Sequence, residues 1–378
     1  MKLLDSLAEF DRRATEAYGI PELLLMEAAG RAVAQRVKAR TNERRDLPVC
    51  LLAGPGNNGG DALACARLLA AEGFKDLRVL LAAEPVTENA KLQLAMLAGF
   101  GVSLHRPGDR QIALHGARVV VDGLFGSGLQ RPMAGLYADL ANAVAALRAM
   151  GAWVLAVDLP SGVDARTGQV AEAAVAADET LTFATSKPGL HLYPGRSYAG
   201  QVSVVGLGTP DALLAEQPSD LFLLTPGVAK GSLPRRAPDS HKFQFGHVLV
   251  VAGSRGFPGA PLMAARAALR SGAGLVTVAA PESVFSRAHL ANELIQLPLP
   301  ETAEGSFGQA AVKPLMQALK ERSYQAVLLG PGLTQHEETV RFVQDTIVYL
   351  KGAFSGSVVL DADALNCLSQ LMDRKARE

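Results

Sequence analysis

The chain has 378 residues, 49% of them hydrophobic, with Lys+Arg and Asp+Glu balanced at 37 each. A chain of this length suggests two domains, each able to bury its own core, and a net charge of zero argues against a nucleic-acid partner. Cys50, Cys65 and Cys367 show no CxxC spacing, which points away from a disulfide framework or zinc site and toward a reducing, cytoplasmic setting; no apolar run reaches the roughly 20 residues of a membrane span, and the charged stretch from Met1 to Arg13 does not read as a signal peptide.

An amphipathic helical segment over residues 7–38 opens the chain and is expected to break at Gly19-Ile20-Pro21. Short β-branched or Leu-rich runs follow at 49–53, 77–82, 118–122, 153–158, 180–183 and 201–205. Helices are expected between the earlier ones, over 61–73, 87–99 and 136–150. Strands alternating with helices predict parallel βαβ units and an α/β, doubly wound sheet. A first domain is drawn over 1–215. Residues 216–240, with Pro218, Pro226, Pro234 and Pro238, read as a linker. A second α/β pattern then begins. Strands are expected at 247–252, 274–280, 326–329 and 358–360, with helices over 260–271 and 337–350. That is about four core strands, so the second domain, 241–378, is expected to be partial.

Three loops carry the chemistry. The first, Gly54-Pro55-Gly56-Asn57-Asn58-Gly59-Gly60-Asp61, follows a strand and precedes a helix. Its glycines allow a tight turn and close approach of a ligand to bare backbone, and a helix N-terminus favours phosphate. The loop also satisfies GxGxxG, with Glu84 about 25 residues on, so a dehydrogenase is a rival reading. Asn57, Asn58 and Asp61 add side-chain groups that plain pyrophosphate docking does not need. The second loop, Asp122-Gly123-Leu124-Phe125-Gly126-Ser127-Gly128-Leu129, and the third, Asp158-Leu159-Pro160-Ser161-Gly162-Val163-Asp164, each put an aspartate at the carboxyl end of a strand. Ligands of open α/β sheets bind along that edge. Converging carboxylate, amide and hydroxyl oxygens suit a cation, an acid–base carboxylate, or both. Asp122 also fits an Asx-turn or helix cap, and Asp158 and Asp164 also fit structural turn carboxylates. Lys187 reads either as a phosphate partner or as a solvated loop lysine.

Taken together with Leu25-Met26-Glu27-Ala28-Ala29-Gly30 and, in the second half, with Gly253–260, Gly330-Pro331-Gly332 and Asp361-Ala362-Asp363, these motifs resemble the bifunctional NAD(P)H-hydrate repair enzymes. Those join an NAD(P)HX epimerase domain to an ADP/ATP-dependent NAD(P)HX dehydratase domain. The resemblance implies a Rossmann-like αβα domain followed by a ribokinase-like one. It implies that Asn57, Asn58, Gly59, Gly60, Asp61, Gly126, Ser127, Gly128, Leu129, Gln130, Arg131 and Pro132 contact the hydrated nucleotide. Asn58, Asp122 and Ser161 would hold a potassium ion, and Asp158 would be the catalytic group at the substrate. Ala260 and Gly332 would lie beside the hydrate in the second domain, which would use ADP or ATP. None of the His-Pro-Gly-Glu, Lys-Gly and Gly-Thr-Gly-Asp segments that such domains carry further downstream follows Asp361-Ala362-Asp363 within these 378 residues. Dehydration by this chain is therefore not expected. A further alternative is a nucleotide-binding protein whose second domain is inactive. A small-molecule substrate, no nucleic acid, no membrane and a homo-oligomer complete the expectations.

Overall fold

The protein is described by a computed structural model covering residues 1–129, 132–233, 235–287 and 291–375. It divides into two compact units, Met1–Leu233 and Pro234–Glu378.

In the first unit the elements run α1 (Ala8–Tyr18), α2 (Glu22–Arg40), β1 (Val49–Ala53), α3 (Asn57–Ala71), β2 (Leu77–Leu81), α4 (Glu88–Leu97), β3 (Ser103–His105), α5 (Arg110–Leu114), β4 (Val119–Gly123), α6 (Leu136–Ala149), β5 (Trp153–Val157), β6 (Glu179–Phe183), α7 (Gly195–Ala199), β7 (Gln201–Val205), α8 (Asp211–Glu216) and α9 (Pro226–Ser232). The expected helix break is real. Gly19 takes a left-handed φ of 66° and its N–H reaches Thr15 O at 3.1 Å, closing α1 before Pro21 starts α2. Every residue of β1, β4, β5 and β6 is buried, as expected of strands covered on both faces. Successive side chains point to opposite sides. Leu51, Val79, Val121 and Leu155 therefore join the core with α2 and α3, while Leu52, Leu80, Val120 and Val154 join the core with α6.

The seven strands are all parallel, in the order β3-β2-β1-β4-β5-β6-β7. The chain winds outward from β1 to β3, then returns to β4 on the other side of β1. The crevice at a topological switch point thus opens between β1 and β4, where ligands of such sheets sit. Part of the stretch read as linker belongs to this unit. Lys2 and Phe222 form an antiparallel bridge, Leu223 N reaches Met1 O at 2.8 Å, and Lys2 Nζ reaches Ala215 O and Gln217 O at 2.7 and 2.6 Å. Local composition could not show this pairing, because its partner lies some 220 residues away in sequence.

The second unit comprises β8 (His247–Val251), α10 (Gly259–Ser271), β9 (Leu275–Pro281), α11 (Glu282–Arg287), β10 (Ile295–Leu299), α12 (Gln309–Glu321), β11 (Ala326–Leu329), α13 (Glu337–Ala353), β12 (Ser357–Leu360) and α14 (Asp363–Lys375). Its parallel sheet has five strands, in the order β10-β9-β8-β11-β12, where the sequence pattern gave four. The extra strand is β10, which contains Pro298 and lies at the edge, the place where a missing N–H does least harm. Phe307 and Phe342, stacked at 4.6 Å, fill the core under α12 and α13.

Candidate active site

The Gly54 turn is built from bare backbone. Gly54 N donates to Gly123 O at 3.0 Å, tying the end of β1 to the end of β4. A Cβ on Gly54 would lie 1.8 Å from Leu124 O, and one on Gly59 would lie 2.0 Å from Gly54 O. The helix starts earlier than the sequence suggests. Residues 57–61 form the first turns of α3 and are not loop, and among the described residues no side chain caps that helix. Its first N–H groups are left for a ligand. Gly59 and Gly60 face the fold: a Cβ on Gly60 would meet Met26 Cε at 2.5 Å.

A cavity of about 480 Å³ opens above this edge. It is lined by Asn57, Asn58 and Asp61, by Gly126, Ser127, Gly128 and Leu129, and by Asp158. The three expected motifs are thus brought together. Gly59, Gly60 and Pro132 are not among the lining residues, and Gln130 and Arg131 lie outside the described residues. Further wall residues include Asp11 on α1, Glu22, Leu25 and Met26 on α2, and Thr87, Asn89 and Phe183. Burial, then the like charges of Glu22 and Asp158, push the Asp11 carboxyl up to about 7, against a smaller pull from Lys187. Asp61 is pushed well above the usual carboxylate range by burial and by Asp158 and Asp11. Several carboxyls facing one cavity favour the neutral form.

Asp158 sits just past β5 in the left-handed region, with φ 66°. Non-glycine residues rarely adopt that conformation, and strained backbone of this kind clusters at functional sites. Its Oδ1 accepts from Lys187 Nζ, from Thr182 Oγ1 at 3.1 Å and from Phe183 N at 3.4 Å. Lys187 is neither solvated nor free for phosphate. It is wholly buried and paired with Asp158.

Asp122 is fully buried at the end of β4. It accepts from Ser161 Oγ at 2.6 Å, from Ser161 N at 2.8 Å and from Leu124 N at 3.2 Å, the last being the Asx-turn bond. Burial pushes it up to about 6, with these hydrogen bonds pulling the other way. Ser161 Oγ also contacts the Phe125 carbonyl at 3.1 Å. Asn58 joins from α3: a Cβ on Gly126 would lie 3.2 Å from Asn58 Oδ1, and the buried Asn58 Nδ2 has no partner among the described residues. The donor set is one carboxylate with hydroxyl, carbonyl and amide oxygens, which suits a hard cation. Among the described residues no three His, Cys, Asp or Glu groups gather as a metal site. Asp164 is structural; its Oδ1 accepts from Thr167 N and Oγ1, both at 2.7 Å, and from Arg166 N at 3.1 Å.

In the second unit, Ala260 and Gly332 meet. A Cβ on Gly332 would lie 3.0 Å from Ala260 Cβ. Gly253 N donates to Pro331 O at 2.8 Å, and Asp363 Oδ2 accepts from Thr334 N at 2.9 Å. The turns after β8, β11 and β12 therefore converge at one edge, again around a switch point.

Residues 22–189 match the family described as YjeF-related protein N-terminus, and residues 248–378 match NAD(P)H-hydrate dehydratase. The bifunctional NAD(P)H-hydrate repair enzyme Nnr of Moorella thermoacetica is 37% identical over 376 residues, covering 96% of this chain and 68% of that protein. The chain belongs to the bifunctional NAD(P)H-hydrate repair enzyme family. Among solved structures, the yeast protein ynu0 is 25% identical with a TM-score of 0.51, over 57% of this chain and 93% of its own. An ADP/ATP-dependent NAD(P)H-hydrate dehydratase from Bacillus subtilis, co-crystallised with ATP and Mg²⁺, is 30% identical with a TM-score of 0.30, over 37% of this chain and 46% of its own. Membership in this repair family displaces the dehydrogenase reading. Glu84, which suggested it, is exposed and pairs with Arg106 at 2.8 Å.

Sequence reasoning missed Asp11, Glu22 and the partnership of Lys187 with Asp158. Asp11 lies ahead of the matched segment on a helix whose polar residues look solvated. The Ser-Lys-Pro-Gly context of Lys187 gave no sign of burial; the nearest signal was a lysine within a turn that follows a fully buried strand.

Proposed function

We propose that the first unit interconverts the R and S epimers of hydrated NADH and NADPH, and that the chain serves nicotinamide nucleotide repair. The observation that carries this reading is the strained, buried Asp158, paired with Lys187, in a cavity walled by a helix N-terminus and two further glycine-bearing turns. Inverting the hydroxyl-bearing ring carbon requires one of its bonds to open and to re-form on the other face. A carboxylate beside that centre accepts a proton as the bond opens and returns it as the bond closes, which typically contributes about 10² to 10⁴ in rate. Asn57 and Ser127 line the cavity and would, with the first N–H groups of α3, hold the polar remainder of a dinucleotide.

Asn58, Asp122, Ser161 and the Phe125 carbonyl would hold a potassium ion. Held there, a potassium ion would offset the charge of buried Asp122, and these residues would join the ends of β1, β4 and β5 through it. In the second unit, the match to NAD(P)H-hydrate dehydratase and the contact of Ala260 with Gly332 support a hydrate-binding role, with ADP or ATP as the nucleotide. We keep the homo-oligomer and the cytoplasmic setting as parts of the same proposal. Among the described residues no helix is long and apolar enough to cross a membrane.

The test is to supply each purified epimer separately and follow equilibration by chromatography, with potassium or sodium. Equilibration faster than the spontaneous rate is expected, and Asp158→Asn should lose about 10² to 10⁴ of it. A full rate in Asp158→Asn removes the Asp158 assignment, and no acceleration by the unaltered chain removes the function.

A further inference from the structure

The two carboxylate oxygens of Asp158 are used differently. Oδ1 takes all three donors, Lys187 Nζ, Thr182 Oγ1 and Phe183 N. Among the described residues nothing donates to Oδ2, while Asp158 lines the cavity. Lys187 in turn is fixed by what surrounds it. Its Nζ also reaches Thr182 Oγ1 at 2.8 Å and the carbonyls of Phe183 and Thr185 at 3.2 and 3.3 Å. The turn that carries it is pinned by the start of the chain: Leu4 N donates to Ser186 O at 3.2 Å, and Thr185 Oγ1 donates to Lys2 O. A buried ammonium with four acceptors has no freedom to follow a ligand, so its position defines that of its partner.

We propose that Lys187 is a positioning residue for the epimerisation. It clamps Asp158 through Oδ1 as a carboxylate and reserves Oδ2 as the oxygen that exchanges a proton with the substrate hydroxyl. This rests on the epimerase reading of the first unit. In the step, the hydroxyl proton passes to Oδ2 as the C–O bond becomes C=O and the bond from that carbon to the ring nitrogen breaks, its electron pair going to the nitrogen and its conjugated system. The nitrogen then re-attacks the other face of the carbonyl, the C–N bond re-forms and Oδ2 returns the proton, so no proton or electron is consumed. Among the described residues the other titratable groups on this cavity are acidic: Asp11 from α1, Glu22 from α2 and Asp61 from α3. Among them Lys187 is the cation paired with Asp158, and none of the neighbouring carboxyls can replace it.

The experiment measures kcat and KM for epimer equilibration between pH 5 and 9 in the full chain, with Lys187→Met and Lys187→Arg. In Lys187→Met we expect kcat at pH 7 to fall by about 10² or more with KM nearly unchanged. The acid limb of the profile should move to higher pH by about 1 to 3 units, the effect of losing an opposite charge at contact distance. Lys187→Arg should keep the acid limb near its original place. A uniform loss at every pH, or an identical profile for the two variants, overturns the proposal. Because Lys187→Met leaves a buried carboxylate unpaired and can fail to fold, the double variant Asp158→Asn/Lys187→Met, which removes both charges, serves as its folding control. The ¹³C carboxyl signal of Asp158 gives a readout independent of turnover. If the unaltered chain does not interconvert epimers, the function fails, and this titration alone decides for Lys187: displacement in Lys187→Met supports the clamp, and none refutes it.

Discussion

Replacing Asp11 with Asn should stabilise the first unit increasingly above about pH 4, with the full gain above about pH 7. In the folded protein burial and neighbouring carboxyls push Asp11 up to about 7 from 3.8. The native state therefore keeps a proton that the unfolded chain has already released. Stability falls wherever the native state binds more protons as pH rises. The penalty starts near pH 4, grows to pH 7 and is complete above that. About three pH units correspond to roughly 4 kcal/mol. Asp11 is half-buried and coupled to Asp61 and Asp158, so about half of that, ~2 kcal/mol, is the better expectation for Asp11→Asn. For a unit of 233 residues this raises Tm by about 4–8 °C. Thermal unfolding followed by circular dichroism at pH 4.5 and pH 8 reads it. The variant should gain at pH 8 and match the unaltered chain at pH 4.5. Equal gains at both pH values would falsify the electrostatic account of this cavity wall.

Other outcomes follow from the same geometry. Gly54→Ala puts a methyl 1.8 Å from a backbone carbonyl, whereas among the described residues a Cβ on Gly128 meets nothing within 4 Å; the first should cost about 1–3 kcal/mol or more, and the second should leave the melting curve unchanged. Potassium should raise Tm by a few degrees at concentrations far above its Kd, and Ser161→Ala should remove that rise because it deletes both the hydroxyl ligand and the 2.6 Å bond to Asp122. A potassium-dependent rise that persists in Ser161→Ala assigns the cation elsewhere.

The strands were legible because each central strand is a short apolar run bounded by glycine or a polar turn, and burial on both faces demands that pattern. The site aspartates were legible because they stand where those runs end. The helix start at Asn57 was not. Two asparagines and two glycines are poor helix formers, yet Gly59 and Gly60 are needed where α3 touches the Gly54 turn and Met26, so packing overrides propensity. Strand β3 is short and mostly exposed and shows no apolar alternation, and Pro298 hid β10. The Lys187–Asp158 pair spans 29 residues and depends on β6 lying beside β5, a neighbourhood that no local pattern encodes.

The bridge between Lys2 and Phe222 brings the two ends of the first unit to one place on its surface. A unit whose ends meet can be joined to another polypeptide, or moved as a cassette, without being pulled open. The same closure makes it a good candidate for circular permutation. Linking residues near 2 and 222 and cutting at a distant exposed turn should preserve the sheet, and would give a repair module whose entry and exit points can be chosen at will.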